Sequence, residues 1–410
     1  MTTPNNDFSR MAMSRRRLLA RAGAIGAAGM SLPALLAACG GSDGDGDASP
    51  TSDGGSGTQP EGSGAPVAGG GGNSLLFENW PEYVDPTEDD LTGTVDRFMA
   101  ETGIDMNYTE TYNDNVEYFA KIQPLLGTGK TIDPDIIAPT SWLVGRLISL
   151  GWLDKLPIDQ VPNVANLRPD LMNPSWDPTG EYSLPWQTGF AGIAYNIDAT
   201  GRELTSTADL FDPEFNGKIG MLTEMRDTMG LLMLAEGVDI STVSTFDAAA
   251  SAFEKLEAAK NDGQIRRFTG NDYLNDLSTG NFAACVGWSG DVVQLAIENP
   301  SIRFVIPEEG GTSWADAMVM PKGAVNRDAA AQWMNFCYDP VQAAQITAWV
   351  QYVSPVAGVQ AELEKIDPEL AVNPLLFPDD ETVARTFAFA NLAEDVEAEY
   401  DARFAEITGA

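Results

Sequence analysis

Aromatic rings stand close to carboxylates in several short segments of this chain. The face of an aromatic ring attracts ammonium groups and covers methylenes, and each good contact contributes about 0.5–2 kcal/mol. A carboxylate accepts charge-assisted hydrogen bonds from the same groups, each worth about 1.5–3 kcal/mol. Together these side chains are typical of a site for a flexible organic cation. The candidate residues are Trp80, Tyr83, Trp142, Glu224, Asp227, Trp288, Asp291, Trp314 and Asp316.

Alternating strand and helix patterns position these candidates from residue 74 onward. The alternation predicts an α/β fold, in which an open sheet is covered by helices. Helical spacing of apolar residues is found at 87–102, 115–126, 141–150 and 245–259. Strand patterns are found at 74–78, 104–109, 135–139, 192–196, 218–222, 265–269, 282–288, 302–306 and 317–320.

The candidates are expected to share one edge of that sheet. Ligands bind open α/β sheets at the carboxyl ends of the strands. Each candidate segment follows a strand pattern, so the segments should meet at this edge. They are residues 79–83, 139–142, 223–227, 288–291 and 314–316.

The charge balance and the lack of histidine exclude several functions. The chain has 60 acidic against 24 basic residues and no histidine among its 410 residues. Nucleic acids and anionic lipid surfaces select Lys and Arg, so we expect no nucleic-acid partner. The acidity would attract a cation, although general surface solubility is an alternative cause. Without histidine, Ser-His-Asp and Cys-His catalysis and the commonest zinc ligands are excluded.

The N-terminus reads as an export signal of the lipoprotein type. Three arginines within residues 14–19 precede an uncharged run at 22–38, and small residues lead to Cys39. We expect residues 1–38 to be removed and Cys39 to carry the lipid that anchors the protein to the outer face of the membrane, in the periplasmic space. An uncleaved membrane anchor is the alternative. The motif resembles a twin-arginine signal, but the general export route also stays open.

A polar linker separates this signal from the globular body. Together with Cys39 it spans residues 39–73, which consist mostly of Gly, Ser, Asp, Thr and Pro. Such a composition cannot bury enough apolar surface to offset its ordering entropy, so we expect a disordered tether. The body from residue 74 is long enough for two lobes. Within it, Cys285 and Cys337 look like buried apolar residues, with a disulfide between them as the alternative.

Several motifs of the body resemble those of a known family. Residues 77–84 read Phe-Glu-Asn-Trp-Pro-Glu-Tyr-Val, and residues 306–311 read Ile-Pro-Glu-Glu-Gly-Gly. Residues 135–141, 275–277 and 286–292 add Asp-Ile-Ile-Ala-Pro-Thr-Ser, Asn-Asp-Leu and Val-Gly-Trp-Ser-Gly-Asp-Val. On these motifs the body resembles the spermidine/putrescine-binding proteins of polyamine ABC importers. The resemblance covers nearly the whole body and is weakest near the C-terminus.

The resemblance implies that two loops of the first lobe touch the polyamine. In the first loop, Trp80 and Tyr83 match rings that pack on the ligand. In the second, Thr140 or Ser141 supplies a hydroxyl and Trp142 an aromatic ring.

The resemblance also implies four ligand-binding side chains in the second lobe. Glu224 and Asp227 match an acid pair at the start of a helix, which binds one amine. Trp288 matches a ring that stacks against the ligand. Asp291 matches an acid found in members that prefer putrescine.

Near the crossing between lobes, the resemblance implies three more ligand-binding residues. Trp314 and Asp316 match an aromatic ring and a central acid, and Tyr352 matches a further aromatic wall. A glutamine of the family is replaced near Phe389, which leaves the choice between a diamine and a triamine open.

The fold implied by the resemblance is a two-lobed, periplasmic-binding-protein-like fold with multiple crossovers between the lobes. We expect the first lobe to comprise residues 74–186 and 315–358. The second lobe would comprise residues 187–314 and 359–410. Closure of the hinge would bring both lobes onto the ligand.

The function that follows is a lipid-anchored, extracytoplasmic receptor that delivers putrescine or spermidine to the permease of an ABC importer. We expect a monomer that needs no cofactor or metal and is not an enzyme. One alternative is another cargo, such as an iron(III) complex, a sugar or thiamine. The other is a glycoside hydrolase with paired carboxylates. A hydrolase would need a carboxyl with a raised pKa and would turn its substrate over, whereas a receptor shows only saturable binding.

Overall fold

The computed structural model describes residues 73–88, 91–112 and 114–409. The expected signal peptide, Cys39 and the linker up to residue 72 lie outside the described residues. Among those that are described, no helix combines the length and apolar character needed to cross a membrane.

The described residues form one mixed sheet of eleven strands. Its central strands are buried along nearly their whole length, as in sheets that helices cover on both faces. The strands are β1 (Ser74–Asn79), β2 (Asp105–Glu110), β3 (Ile136–Ile137), β4 (Leu153–Asp154), β5 (Ser183–Asn196), β6 (Ile219–Leu222), β7 (Ile265–Thr269), β8 (Ala284–Trp288), β9 (Ile302–Val305), β10 (Gly311–Pro321) and β11 (Thr386–Ala388).

The order of the strands divides the sheet into two parallel parts. It runs β2-β1-β3-β10-β5-β8-β6-β7, with β4 and β11 paired to β10 and β9 paired to β5. The strands β2, β1 and β3 are parallel to one another, and so are β8, β6 and β7. Between them β10 and β5 are antiparallel to each other and to their outer neighbours β3 and β8. Two long antiparallel strands therefore join the parallel parts.

Helices pack around this sheet and follow local signals in the sequence. The helix predicted at 115–126 has these same bounds in the structure, and the Asp114 carboxylate caps it by accepting the N–H of Val116 at 2.7 Å. The helices are α1 (Thr94–Thr102), α2 (Asn115–Leu126), α3 (Ser141–Ser149), α4 (Ile197–Thr200), α5 (Met225–Ala235), α6 (Ala250–Asn261), α7 (Tyr273–Ser278), α8 (Ser289–Glu298), α9 (Arg327–Cys337), α10 (Pro340–Val350), α11 (Val359–Ile366), α12 (Asp380–Ala384) and α13 (Glu394–Thr408).

One helix begins later than its apolar spacing predicted. The prediction was residues 87–102, but α1 starts at Thr94. Upstream, the backbones of Glu88 and Leu91 bond each other as an antiparallel β-bridge and make no helical hydrogen bonds there. The Asp85 carboxylate accepts the backbone N–H of Thr94 at 3.1 Å, so it satisfies a free donor at the true start of the helix.

The prediction also missed the length of the two joining strands. It had strands at 192–196 and 317–320, whereas β5 and β10 extend through the middle of the sheet. Their pairing shifts register between Asp316 and Ala317. Polar residues near this point interrupt the apolar pattern from which a strand is predicted. Pairing with the neighbouring strands stabilises the extended backbone there.

Buried side chains form separate cores at the two parts of the sheet. Phe77 and Trp333 are buried in the first core, and Phe253 and Tyr400 in the second. A smaller cluster around Leu143 lies beside the first core and shares Trp80 with it. The two-lobed, α/β fold expected from the sequence is confirmed.

The two described cysteines lie in different cores and are free. Cys337 is buried in the first core and Cys285 in the second. Burial raises the pKa of both thiols, which suppresses the reactive thiolate. The interpretation of both as apolar core residues therefore agrees with their packing, and the disulfide alternative does not.

The packing of α11 does not agree with a lobe boundary after residue 358, which would place this helix in the second lobe. Val359 and Leu363 of this helix are buried in the first core. The chain enters the second core only after α12, where α13 buries Tyr400. We therefore assign residues 359–377 to the first lobe, because a segment belongs with the core that covers its apolar face.

Candidate ligand-binding site

A cavity of about 270 Å³ lies where β5 and β10 pass between the two cores. Every ligand-binding residue predicted from the sequence lines this cavity. These residues are Trp80, Tyr83, Thr140, Ser141, Trp142, Glu224, Asp227, Trp288, Asp291, Trp314, Asp316 and Tyr352.

Asp316 holds the centre of the cavity from the middle of β10. Its carboxylate accepts the Tyr83 hydroxyl at 2.7 Å and the Thr140 hydroxyl at 2.6 Å. Both donors come from loops that follow strands of the first core. Burial raises the pKa of Asp316 to about 7, because desolvation outweighs the two hydrogen bonds. A cationic group beside this carboxyl would therefore stabilise its ionised form.

Asp291 lies in the first turn of α8, on the second core. Its carboxylate accepts the Tyr352 hydroxyl at 2.8 Å and the Tyr273 hydroxyl at 3.2 Å. Burial raises its pKa to about 6 despite these two donors. The Tyr83 and Tyr352 rings lie 6.0 Å apart, centroid to centroid, so the groups around Asp316 and Asp291 are neighbours.

Glu224 and Asp227 stand at the start of α5. Glu224 is the N-cap and accepts the Arg226 backbone N–H at 3.3 Å. Asp227 accepts the Trp288 indole N–H at 2.8 Å and the Thr312 hydroxyl at 2.5 Å. A helix N-terminus favours carboxylates, yet desolvation dominates here. It raises the pKa of Glu224 to about 8 and also raises that of Asp227. We refer to Glu224, Asp227, Asp291 and Asp316 as the cavity carboxyls.

Aromatic rings complete the walls of the cavity. Trp288 is oriented by its indole bond to Asp227. Trp314 meets Tyr352 edge to face, with ring centroids 4.9 Å apart. Trp80 donates its indole N–H to the Ala138 carbonyl at 2.7 Å, which fixes the ring beside the first core. Flat apolar faces therefore alternate with carboxyls around the cavity.

Two of the three tyrosines that bind cavity carboxyls, Tyr83 and Tyr352, each follow a residue in a rare backbone conformation. Glu82 has φ of 61° and precedes Tyr83, and Gln351 has φ of 58° and precedes Tyr352. Left-handed backbone costs energy in residues other than glycine and is concentrated at functional sites. The Glu82 N–H is held by the Glu110 carboxylate at 3.0 Å. These two turns aim the tyrosine hydroxyls into the cavity.

Close approach of the aromatic rings requires glycine at two positions. A Cβ on Gly290 would lie 2.6 Å from the Tyr352 ring, and one on Gly189 would lie 2.6 Å from the Trp314 ring. Such distances are far inside van der Waals contact. The absence of these two side chains therefore lets both rings reach the cavity.

Four of the five predicted segments follow strands as expected. Trp80, Thr140 and Glu224 come directly or soon after β1, β3 and β6, and Trp288 ends β8. The fifth segment is wrong in its placement, because Trp314 and Asp316 lie within β10 rather than after a strand. They reach the cavity because β10 crosses between the cores at that point.

Sequence reasoning missed several residues that line the cavity. One of them is Arg226, whose position between the predicted acids Glu224 and Asp227 could have indicated that it lies at the site. Thr312 had no distinguishing pattern, and Asn115 binds the Thr140 hydroxyl through a contact that no local pattern reveals. Phe389, near which the resemblance places a replaced glutamine, also lines the cavity.

Two relatives of known function are similar to this chain in sequence. A spermidine/putrescine-binding periplasmic protein of Escherichia coli (strain K12) is 29% identical over 312 residues, which cover 76% of this chain and 85% of the relative. The putrescine-binding periplasmic protein SpuD of Pseudomonas aeruginosa (strain UCBPP-PA14) is 28% identical over 353 residues, covering 81% and 91%.

A solved structure has the same fold. It is described as a putative spermidine/putrescine ABC transporter from Listeria monocytogenes, with a TM-score of 0.71 and 27% identity. The similarity covers 82% of this chain and 99% of that one. In addition, residues 93–378 match the family described as bacterial extracellular solute-binding protein. This match spans more than half of the sequence, and the chain therefore belongs to the bacterial extracellular solute-binding protein family.

Proposed function

We propose that this protein binds polyamines outside the cytoplasm and delivers them to the permease of an ABC importer. The observation that carries the proposal is the set of four cavity carboxyls among aromatic rings, with pKa values raised by burial. A polyamine supplies the missing positive charges, and its methylenes fit against the rings. The relatives, which are named as spermidine/putrescine-binding and putrescine-binding proteins, support the same ligand class.

Titration calorimetry of the full chain tests this proposal. We expect saturable binding of putrescine, spermidine or spermine that weakens as salt rises, because the contacts are charge-assisted. A sugar serves as the control ligand and should give no heat of binding. Binding of the sugar without binding of any polyamine would contradict the proposal. Chemical change of the ligand during incubation would instead favour the hydrolase alternative.

We propose that the ligand is enclosed by closure of the lobes about β5 and β10. Asp316 and Tyr83 would then grip the ligand from the side of the first core, and Asp227 and Trp288 from the second. At a ligand concentration one hundred times Kd, the folded state should gain about 2.7 kcal/mol. Thermal unfolding and solution scattering measure this gain and the compaction. A raised melting temperature with an unchanged radius of gyration would reject closure but not binding.

Gly290→Ala should weaken polyamine binding by about tenfold. The added methyl would displace the Tyr352 ring, whose hydroxyl would then leave Asp291. Calorimetry measures the loss. Gly145→Ala, in the middle of α3, is the matched control, because its Cβ would meet only ordinary contacts at 3.6 Å or more. Equal losses of polyamine affinity in both variants would show that the position of the Tyr352 ring does not determine binding.

The lipid anchor is a separate proposal that rests on the sequence around Cys39. Cys39→Ala should remove the site of lipidation, so the protein should be released from the membrane fraction or stay unprocessed. Fractionation and mass determination of the N-terminal peptide measure this outcome. Unchanged membrane retention of the variant would indicate an uncleaved apolar segment instead.

A further inference from the structure

Tyr273 lies behind the cavity and was not among the residues predicted from the sequence. It begins α7 in the second core, is fully buried and is not one of the residues that line the cavity. Its ring meets the Trp288 ring edge to face, with centroids 5.9 Å apart. A Cβ on Gly287 would lie 3.0 Å from the Tyr273 ring, so β8 passes closely over it. Tyr273 therefore packs behind the segment that carries Trp288 and Asp291.

The Tyr273 hydroxyl joins two parts of this segment. It accepts the backbone N–H of Trp288 at 3.0 Å and donates to the Asp291 carboxylate at 3.2 Å. A phenol has only one proton to donate. The other acceptor within reach, the Trp288 carbonyl, is farther away at 3.5 Å, and an ionised carboxylate accepts more strongly than a carbonyl. The hydroxyl proton therefore points to Asp291, while the Trp288 N–H holds the oxygen from the other side.

Trp288 extends this chain of hydrogen bonds to a second cavity carboxyl. Its indole N–H donates to Asp227 at 2.8 Å. One tryptophan is thus connected to Asp227 through its ring and, by way of Tyr273, to Asp291 through its backbone. Hydrogen bonds in such a chain polarise and strengthen one another. They hold the ring and the two acids beside the second core in one arrangement.

Asp291 accepts a hydroxyl from each of the two cores. Tyr352 belongs to the first core, whereas Tyr273 belongs to the second, beside which Asp291 lies. In the closure proposed above, opening of the lobes would take the Tyr352 hydroxyl away from Asp291, but Tyr273 would stay beside it. Tyr273 is therefore the donor that can orient Asp291 before a ligand arrives.

We propose that the Tyr273 hydroxyl is a positioning group of the polyamine site, which holds the Asp291 carboxylate in its ionised form beside the Trp288 ring. This inference rests on the proposed polyamine function. Tyr273 does not touch the ligand. It fixes the place where one ammonium group meets both a carboxylate and an aromatic face. Such preorganisation reduces the conformational cost of binding.

The pH dependence of polyamine binding can distinguish this role from simple packing. The titratable groups that interact with Asp291 are the hydroxyls of Tyr273, Tyr352 and Tyr83. Burial raises the pKa of all three phenols, so they stay neutral near pH 7. Burial also raises the pKa of Asp291 to about 6, and the hydrogen bonds from Tyr352 and Tyr273 oppose this rise because they favour the ionised form. Loss of the Tyr273 hydroxyl should therefore raise the pKa of Asp291 further.

The test measures the putrescine Kd of the full-length wild-type chain and of Tyr273→Phe by calorimetry at pH 8 and pH 6. The variant keeps the ring and loses only the hydroxyl. We expect its Kd to exceed the wild-type Kd by about threefold at pH 8, through lost orientation, and by about tenfold at pH 6, where more of its Asp291 is protonated. The other cavity carboxyls titrate in both proteins, so the ratio of the two Kd values cancels their contribution.

Tyr400→Phe is the matched control for this substitution. Tyr400 is also fully buried in the second core, and its hydroxyl donates to the Thr245 carbonyl at 3.1 Å, but it does not line the cavity. This variant should keep the wild-type Kd at both pH values. When Tyr273→Phe is added to Asp291→Asn, the ratio should no longer change with pH, because the titrating carboxyl is gone.

Gly287→Ala disturbs Tyr273 by a second route. Its added Cβ would press on the Tyr273 ring, so the hydroxyl would shift while remaining present. The ratio of the Kd of this variant to the wild-type Kd should also rise from pH 8 to pH 6.

The outcomes distinguish this inference from the proposed function. If the wild type binds no polyamine at either pH, the proposed function itself fails. If the wild type binds and the ratio for Tyr273→Phe does not change with pH, or equals that for Tyr400→Phe, only the positioning role is overturned. If Tyr273→Phe does not fold, a ratio for Gly287→Ala that is independent of pH rejects the inference.

Discussion

Asp316→Asn should weaken polyamine binding by about 2–3 kcal/mol, roughly 30- to 150-fold. The substitution keeps the shape of the side chain and its capacity to bond the Tyr83 and Thr140 hydroxyls. It removes a negative charge from a desolvated contact, where a charge-assisted bond is worth most. Calorimetric titration measures the loss. The empty variant should unfold at the same temperature or a higher one, because a buried charge without a cationic partner is costly.

Glu82→Gln is the matched control for this experiment. Glu82 lies in the same first loop as Tyr83, but its side chain is exposed at the rim of the cavity. Solvent screens exposed charges, so this variant should lose under about 1 kcal/mol of binding energy. Equal losses for Asp316→Asn and Glu82→Gln would mean that the overall negative field of the protein attracts the ligand. The assignment of Asp316 to a direct contact would then be wrong.

Polyamine affinity should fall by roughly 100-fold or more between pH 8 and pH 5. In the empty site the pKa is about 8 for Glu224, about 7 for Asp316 and about 6 for Asp291. An ammonium group binds the ionised carboxyl, so protons must leave before or during binding. The amines stay protonated across this range, since their pKa lies near 10. A single carboxyl with a pKa near 7 accounts for about the stated loss at pH 5.

Calorimetry in buffers of different ionisation enthalpy measures the released protons directly. Net proton release is expected near pH 7, and Asp316→Asn should reduce it. Affinity that stays constant from pH 5 to pH 8 would contradict the raised pKa values. In the empty protein, the folding stability depends on pH in the opposite direction from the polyamine affinity. Carboxyls whose pKa is raised on folding stabilise the fold at low pH, and this contribution is lost as pH rises through about 6 to 8.

The class of fold, the family resemblance and the chemistry of the site could all be predicted from the sequence. Apolar periodicity identified α2 and β7 with the bounds that the structure shows. Aromatic residues and acids after strand patterns identified Trp80, Glu224 and Trp288, because strand ends in an α/β sheet converge on one edge. These signals are local: each depends on residues within one or two turns or strands.

Which distant residues act together depends on the tertiary packing. Arg226 and Glu397 are 171 positions apart, and their ion pair depends on how α13 packs beside α5. The full length of β5 and β10 also depends on pairing across the sheet, which carries the strands past the polar residue Asp316. Local propensity does not encode such contacts, because their free energy arises only when packing closes around them and removes them from water.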